Sequence, residues 1–557
     1  MITIEENKNK NVPGMSSLYV KFKYNPDIIN ILKTLPTYSY DKKNYTWEIP
    51  ISSLSELIVK LSPYDDIELK TFEYKPKTIT KYELSEYKLK PFPYQEEGIQ
   101  YGLNNNKWLL LDKPGLGKTP QIIHVAEELK KAGKIEHCLI ICGINTLKFN
   151  WEKEIAKHSD LTSMILGKRI NRNGNTVFES IPYRVDQLKN KIDEFFIITN
   201  VETLRDERIV KALLNGGNNI DMMVVDEAHV LKSPTSQQSK NLLKLKSPKY
   251  KIAATGTLIP NNPLDAYVPL KWIGAESASY TNFRYYYCKY GGQFGNEFIG
   301  FRNLDTLKYM LSHYSLRRDK SLLNLPPKTI INEYIEMDPK QEHFYTNITK
   351  GIKDEVDKVE LNNKTLLGMV TRLRQATACP SILTTENIPS SKMERCIDLV
   401  EQILSEDDKV VIFSTFKETV YELQNALSKY NPLIGTGDID DDKISQNVDK
   451  FQTDPNNKIF IGTWQKCGTG LTLTAANYMI FIDTPWTDAS FEQACDRIHR
   501  ISTSKPVTIY TLITSGTIDE RVLEIVEDKE ALSSYIIDDE ITEKGLNSLK
   551  KYVTELK

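Results

Sequence analysis

Short runs of continuous apolar residues, each closed by a polar or glycine-rich turn, set the texture of most of this chain. WLLLD (108–112), CLIIC (138–142), FFIIT (195–199), MMVVD (222–226) and KIAAT (251–255) form a first series. KVVIFST (409–415), KIFIGT (458–463), YMIFID (478–483) and VTIYTLIT (507–514) form a second. Apolar runs without polar alternation predict strands buried on both faces, as in a parallel sheet covered by helices. The segments between supply those helices, as in TPQIIHVAEELKKAG (119–133). The prediction is an α/β protein with two tandem doubly wound parallel-sheet lobes. Lobe 1 is placed at 81–272 and lobe 2 at 336–557, with a helical insertion near 340–390. Between them, 273–335 carries the aromatic-rich FRYYYCKY (283–290) and LKYMLSHYSLRRDK (307–320) and is expected to form a helical bridge.

Residues 1–80 read differently. SLYVKFKYN (17–25) alternates like a half-buried strand, and PDIINILKTLP (26–36) places Ile28, Ile29, Leu32 and Leu35 on one helical face, with Pro26 suited to its first turn. YTWEIP (45–50) and SSLSELIVKL (52–61) repeat the strand–helix order, so a small α+β domain is expected, joined to lobe 1 by the polar stretch 73–86.

Composition narrows the classes. With 557 residues, 40% hydrophobic and 26% charged, the chain can bury large cores and is not disordered in type. Lys and Arg total 72 against 74 acidic residues, a net charge of −2, so no global basic field advertises nucleic acid; a local groove of donors would still suffice. No apolar run approaches the roughly 20 residues of a membrane span, and MITIEENKNK lacks the apolar core of a secretory signal. Seven scattered cysteines form no CxxC pair, which argues against a zinc ribbon or a disulfide framework and for reduced thiols inside a cell. Cys138 and Cys142 are expected as small buried hydrophobes.

The chemistry concentrates at strand ends. WLLLD runs into KPGLGKT (113–119) and then a helix, the arrangement of a phosphate-cradling loop. Gly115 and Gly117 let backbone N–H groups turn inward around Leu116, Lys118 would reach the β- and γ-phosphates, and the Thr119 hydroxyl would ligate Mg²⁺. Asp226, Glu227, Ala228 and His229 follow MMVV. Asp226 is placed to hold the metal shell with Thr119, and Glu227 to orient and deprotonate an attacking water. Further on, FEQACDRIHRI (491–501) spaces Gln493, Arg497 and Arg500 at i, i+4 and i+7, one face of a helix, and two guanidiniums suit developing γ-phosphate charge. The catalytic candidates are therefore Lys118, Asp226, Glu227, Arg497 and Arg500.

In order along the chain, these motifs resemble those of superfamily-two helicase-like ATPases, specifically Swi/Snf-type double-stranded DNA translocases. LKPFPYQEEGIQYG (89–102) is similar to the adenine-reading Q motif, LDKPGLGKTPQ (111–121) to the phosphate loop, and NWEKEI (150–155) to the end of motif Ia. DEAHVLKSPTSQQSK (226–240) resembles motif II and TGTLIPNNPLDAY (255–267) motif III. LRRDKSLLNLPPK (316–328) resembles the linker after lobe 1. LRQATACP (373–380), VVIFSTF (410–416), GTWQKCGTGLTLTAANYMIFIDTPW (462–486) and QACDRIHRI (493–501) complete the set. The resemblance covers about 84–525 and implies two RecA-like lobes that use ATP and Mg²⁺. The sequence departs from the family pattern at Lys113–Pro114 in place of Glu-Met, at Leu258, and at Ser502–Thr503. Phe22, Pro26, Ile29, Leu32, Pro36, Asp41, Trp47 and Pro50 resemble the HARP-like domain of annealing helicases and phage branch-migration helicases. Such a domain would contact branched DNA, or would only dock on lobe 1.

The resemblance implies roles. Gln95, Gly115, Leu116, Gly117, Lys118, Thr119, Gly470 and Gln493 would bind nucleotide. Lys148, Thr199, Asn200, Ser414, Thr415, Thr472 and Trp486 would line the DNA path, although core packing serves Trp486 as well. His229, Thr255 and Thr257 would couple nucleotide state to DNA. The expected function is ATP-dependent translocation on double-stranded DNA that remodels forks or branches by branch migration, fork regression or strand annealing. The rivals are a motor that strips proteins from DNA and an ATP-gated clamp that does not move. The expected partners are duplex, forked or branched DNA and a single-strand-binding protein. The chain is expected to act as a monomer inside the cell, in the cytoplasm or nucleoid, with phage coding compatible.

Overall fold

In the computed structural model the described residues are 2–6, 17–42, 44–64, 67–69, 79–145, 147–171, 176–256, 258–259, 263–291, 297–323, 325–356, 363–468, 471–486, 488–500, 503, 505–527, 536–537, 540–541 and 551. The chain divides into two compact units, one carrying residues 1–113 and 117–322, the other 323–557 and the short stretch 114–116.

Besides two two-stranded ribbons, the first unit contains two large sheets. The N-terminal one has five strands in the order Ser39–Asp41, Thr46–Pro50, Ser17–Lys21, Ile2–Glu6, Ile67–Leu69. Pro26–Lys33 begins where Asn25 caps it, its Oδ1 accepting from the Asp27 N–H at 2.9 Å, and the helix buries Ile28 and Leu32. This small core, with Ile4, Leu18, Val20 and Leu57, is not self-contained, because Tyr309 from the helix Leu304–Tyr314 completes it. Polar contacts add to the seam. Ser277 N–H donates to Ser52 O at 2.8 Å, and Ser55 Oγ donates to the buried carboxylate of Glu276 at 2.7 Å. Of the expected linker, 73–78 lies outside the described residues. From Thr80 the chain runs along the helix Pro93–Asn104, where the side-chain amides of Asn104 and Gln100 each pair with a backbone peptide, of Thr80 and Tyr82.

The second sheet has seven strands, all parallel: Ser315–Leu316, Lys107–Leu110, Tyr250–Ala254, Ile220–Asp226, His137–Cys142, Phe196–Asn200, Ser163–Ile165. Their side chains divide into one apolar layer on each face, as unalternating runs require. The stretch expected to form a helical bridge is shared out. Helices Tyr280–Tyr287 and Leu304–Tyr314 and the two-residue strand Ser315–Leu316 fold into lobe 1, whereas Lys328–Ile335 pairs along its whole length with Val507–Thr514 in the second unit. Tyr286 and Tyr287 are buried and Tyr285 is exposed, as consecutive positions on one helix demand.

The second unit holds a six-stranded parallel sheet, in the order Lys328–Ile335, Val507–Thr514, Tyr478–Phe481, Val410–Ser414, Ile459–Thr463, Leu433–Gly435. The helices Pro339–Val356 and Asn363–Ala378 make a satellite core with Ile518–Glu527 through Ile352, Met369, Leu373, Ile518 and Val522. The α/β class, the two parallel-sheet lobes and the small mixed N-terminal sheet match the sequence reading. All seven cysteines are buried and none is in a disulfide. Among the described residues no helix is long and apolar enough to cross a membrane.

Candidate nucleotide site and nucleic-acid face

The phosphate loop leaves the strand Lys107–Leu110 and enters the helix Lys118–Lys131. Gly115 and Gly117 have φ of +90° and +69°, the left-handed region that glycine occupies without a Cβ clash. Space also demands glycine at 117, because a Cβ there would lie 2.4 Å from Gln95 Nε2. Gln95 is buried, and its Oε1 accepts from the Phe92 N–H at 3.0 Å, so its amide is fixed against the loop. The Lys118 ammonium donates to the Asp112 carbonyl at 3.0 Å. Thr119 is half-buried on the first helical turn.

Beneath the loop lies a buried polar network. The Arg318 guanidinium donates from Nε to Asp112 Oδ1 at 3.0 Å, from one Nη to Asp112 Oδ2 and to Gln121 Oε1 at 2.6 Å, and from the other Nη to the Tyr94 carbonyl. Gln121 Nε2 in turn donates to Asp112 Oδ2 and to the Gly117 carbonyl, each at 3.1 Å. Backbone bonds run alongside, from Leu111 N–H to Leu316 O at 2.8 Å and from Lys113 N–H to Arg318 O at 3.1 Å.

Asp226 ends the strand Ile220–Asp226, in register with Ala254 and Cys142. Its Oδ2 accepts from the Trp151 indole N–H at 2.8 Å and its Oδ1 from the Glu227 N–H at 3.0 Å. Burial, and then the neighbouring Glu227 carboxylate, push the Asp226 carboxyl up to about 6, against the pull of Trp151 and Lys118. Glu227 has φ +51°, a sparsely populated conformation for a side-chain-bearing residue. Its Oε2 is 3.2 Å from His229 Nδ1, which is also 2.9 Å from Thr255 Oγ1. The chain thus brings Lys118, Asp226, Glu227, His229 and Thr255 together at neighbouring strand ends. Thr257, expected in the same relay, lies outside the described residues.

On the adjoining strand ends Thr199 and Asn200 are buried. Asn200 Nδ2 donates to Asn145 Oδ1 at 3.0 Å, and its Oδ1 accepts from Thr203 Oγ1 at 2.6 Å. Lys148 is only 4% exposed, with its ammonium 4.2 Å from the centre of the Phe178 ring. Asn145, Lys148, Phe178, Asn200 and Thr203 border a cavity of about 300 Å³.

In the second unit the helix carrying Gln493 spans Asp488–Cys495 and stops before the two arginines. The following N–H groups of Arg497 and Ile498 bond three residues back instead of four, so the expected single helical face does not form. Arg497 is buried, donating from Nε to Gln493 O at 3.0 Å and from one Nη to Leu471 O at 3.2 Å. Arg500 is half-buried, with one Nη donating to Thr472 Oγ1 at 2.7 Å. Neither guanidinium stands in open solvent. Gly470 lies outside the described residues. Ser414 is fully buried and donates to Asp483 Oδ2 at 2.6 Å. Thr415 donates to the same carboxylate from its N–H, at 2.9 Å to Oδ1, and from its hydroxyl. Arg374 reaches Asp483 at 3.2 Å and lies 4.5 Å over the Trp486 ring, which packs on the satellite core.

Three supporting residues had no assigned role in the sequence reading: Trp151, Arg318 and Asp483. Each stands inside a quoted motif string, yet its partner is 75, 206 or 69 residues away, respectively, and nothing local marks it.

A SNF2-related domain matches residues 94–382 and a helicase conserved C-terminal domain residues 391–502; the chain belongs to the SNF2-related family, the Swi/Snf-type branch of superfamily-two helicases. The HepA-related protein (HARP) domain matches residues 18–72. Among curated relatives, an uncharacterized ATP-dependent helicase of Mycoplasma genitalium is 26% identical over 452 residues, covering 79% of this chain and 41% of that protein. The human DNA annealing helicase and endonuclease ZRANB3 is 26% identical over 452 residues, 77% of this chain and 39% of its own. A SWI/SNF-related matrix-associated actin-dependent regulator of chromatin subfamily A-like protein 1 of Drosophila melanogaster is 25% identical over 536 residues, 92% of this chain and 66% of its own. The chain spans about two fifths of the length of the first two.

Proposed function

We propose that this chain is a DNA-dependent ATPase that translocates on double-stranded DNA and remodels forked or branched substrates. The observation that carries this reading is the convergence of the glycine-loop lysine, Lys118, with the buried acidic pair Asp226–Glu227 at neighbouring strand ends, in a chain of SNF2-related type that also carries a HARP match. The DNA annealing helicase named among the relatives supports the branched substrate.

In this reading the loop amides of 115–119 and Lys118 hold the phosphates while Gln95 reads the adenine. The donor set suits Mg²⁺, a hard cation that takes oxygen ligands and keeps several from substrate and water. Among the described residues no cluster of three acidic, His or Cys ligands exists to cage a metal by itself. Asp226 and Thr119 would hold the ion, which neutralises phosphate charge. Glu227 orients and deprotonates the attacking water, and His229 and Thr255, already joined to it, relay the state of the γ-phosphate. Arg497 and Arg500 stabilise the transition-state charge, with Gln493 and Gly470 beside the nucleotide. DNA phosphates are met by Lys148, Thr199, Asn200, Thr415 and Thr472, contacts that carry no sequence code; Ser414 supports them through Asp483, and Trp486 flanks the path.

Lys118→Ala is expected to abolish DNA-stimulated ATP hydrolysis, and turnover retained in that variant would overturn the assignment. ATPase stimulation compared across single-stranded, duplex, forked and four-way DNA tests the substrate. Stimulation equal on linear and branched duplex would favour a motor that displaces proteins, and turnover without triplex displacement a stationary clamp.

A further inference from the structure

The cavity of about 300 Å³ at the ends of the strands His137–Cys142 and Phe196–Asn200 is walled on one side by Arg184, a residue outside every helicase-like motif. Arg184 is held rigidly. Its Nε donates to the Glu179 carbonyl at 3.1 Å and one Nη to Thr203 Oγ1 at 3.1 Å, and Gly167 packs so closely that a Cβ there would lie 2.6 Å from Nε. Among the described residues no carboxylate forms an ion pair with it. The nearby Glu179 carboxylate pairs with Arg169 at 2.7 Å, and the rim carboxylate of Glu202 accepts from Asn200 Nδ2 at 2.5 Å. Elsewhere the buried guanidiniums of Arg318 and Arg374 each face an aspartate. Burial alone lowers the Arg184 pKa, with no acidic group raising it. A half-buried cation left without an anion is costly unless a ligand supplies one.

Lys148 lines the same cavity from the first turn of the helix Leu147–His158, its ammonium over the Phe178 ring. Two cations and a helix N-terminus facing one small cavity make an anion site, and planar guanidinium matches phosphate oxygens. We propose that Arg184 and Lys148 form a two-point clamp on a single backbone phosphate of the DNA track, with Phe178 holding Lys148 in place. The proposal rests on the DNA-motor reading and adds to it a positioning residue that no helicase-like motif contains.

The test uses the full chain and a fluorescein-labelled DNA duplex, with binding followed by anisotropy between about 50 and 200 mM salt. Arg184→Gln should weaken binding by about three- to tenfold and reduce the slope of log affinity against log salt by about 0.9, one phosphate contact. The DNA concentration for half-maximal ATPase stimulation should rise by the same factor, while the maximal rate and the ATP KM without DNA stay unchanged. Arg184→Lys should restore the slope. If Arg184→Gln fails to fold, Lys148→Gln answers through the same slope. An unchanged slope in Arg184→Gln, where the wild type does bind DNA, overturns the clamp and leaves the motor reading standing. A wild type whose ATPase ignores DNA overturns the motor reading itself.

Discussion

Burial at Asp226 opposes the charge that the proposed metal–nucleotide complex would require there. The carboxyl sits at about 6 in the folded chain against an ordinary 3.8, so folding favours its protonated form. Its contribution to stability is therefore full below about pH 4 and declines as pH rises through about 6. At neutral pH the nucleotide-free protein carries a buried, partly compensated anion. Asp226→Asn is expected to raise stability at pH 7 by an amount on the order of 1–3 kcal/mol, read as an increased Tm, while abolishing ATPase activity.

At the scale of elements, the phosphate loop depends on what lies beneath it. Gly117→Ala combines a left-handed φ with a clash against Gln95, so nucleotide binding should fall by at least tenfold in isothermal titration while the rest of the sheet stays folded. Arg318→Met leaves Asp112 buried without its cation and is expected to cost about 3–5 kcal/mol in chemical denaturation. Pairing it with Asp112→Leu should recover much of that loss, because replacing both charges removes the desolvation penalty. The main strands of both sheets were legible because continuous apolar runs have few other fates, and the loop because glycine, lysine and threonine must stand in that order. Ser315–Leu316 was not, since two residues carry no periodicity and the strand exists only through its pairing with Leu109 and Leu110. Arg497 and Arg500 were legible as residues but not as a helical face, because the turn after Cys495 is held by Thr503, whose Oγ1 accepts from the Arg500 N–H at 2.9 Å. The pairs Arg318–Asp112 and Asp483–Ser414 escape a linear reading because each is made by the topology.

Across the whole molecule, the N-terminal sheet is built into lobe 1. Tyr309 completes its core, and Glu276, pushed up to about 7 by burial, takes Ser55 across the seam with Lys271 and Glu56 nearby. A carboxyl raised from 4.5 to about 7 contributes stability below about pH 4.5 that is lost as pH rises through 7. Glu276→Gln should flatten the dependence of Tm on pH across that window; an unchanged profile would remove Glu276 from the account. Deleting residues 1–80 should expose the apolar surface around Tyr309 and Tyr314 and promote aggregation, visible in light scattering. Point changes on the outer face of the domain are therefore the better test of whether it contacts DNA.

The route by which the chain leaves lobe 1 has a mechanical consequence. Leu316 and Arg318 are laced by backbone hydrogen bonds and a guanidinium to 111–113, the root of the phosphate loop, only a few residues before the polypeptide crosses into the second unit. Tension on that crossing would be felt first at the base of the nucleotide cradle. If the chain is the motor proposed above, it would thus sense load through its grip on ATP, and loosening Arg318 should make that grip indifferent to an opposing force in an optical trap.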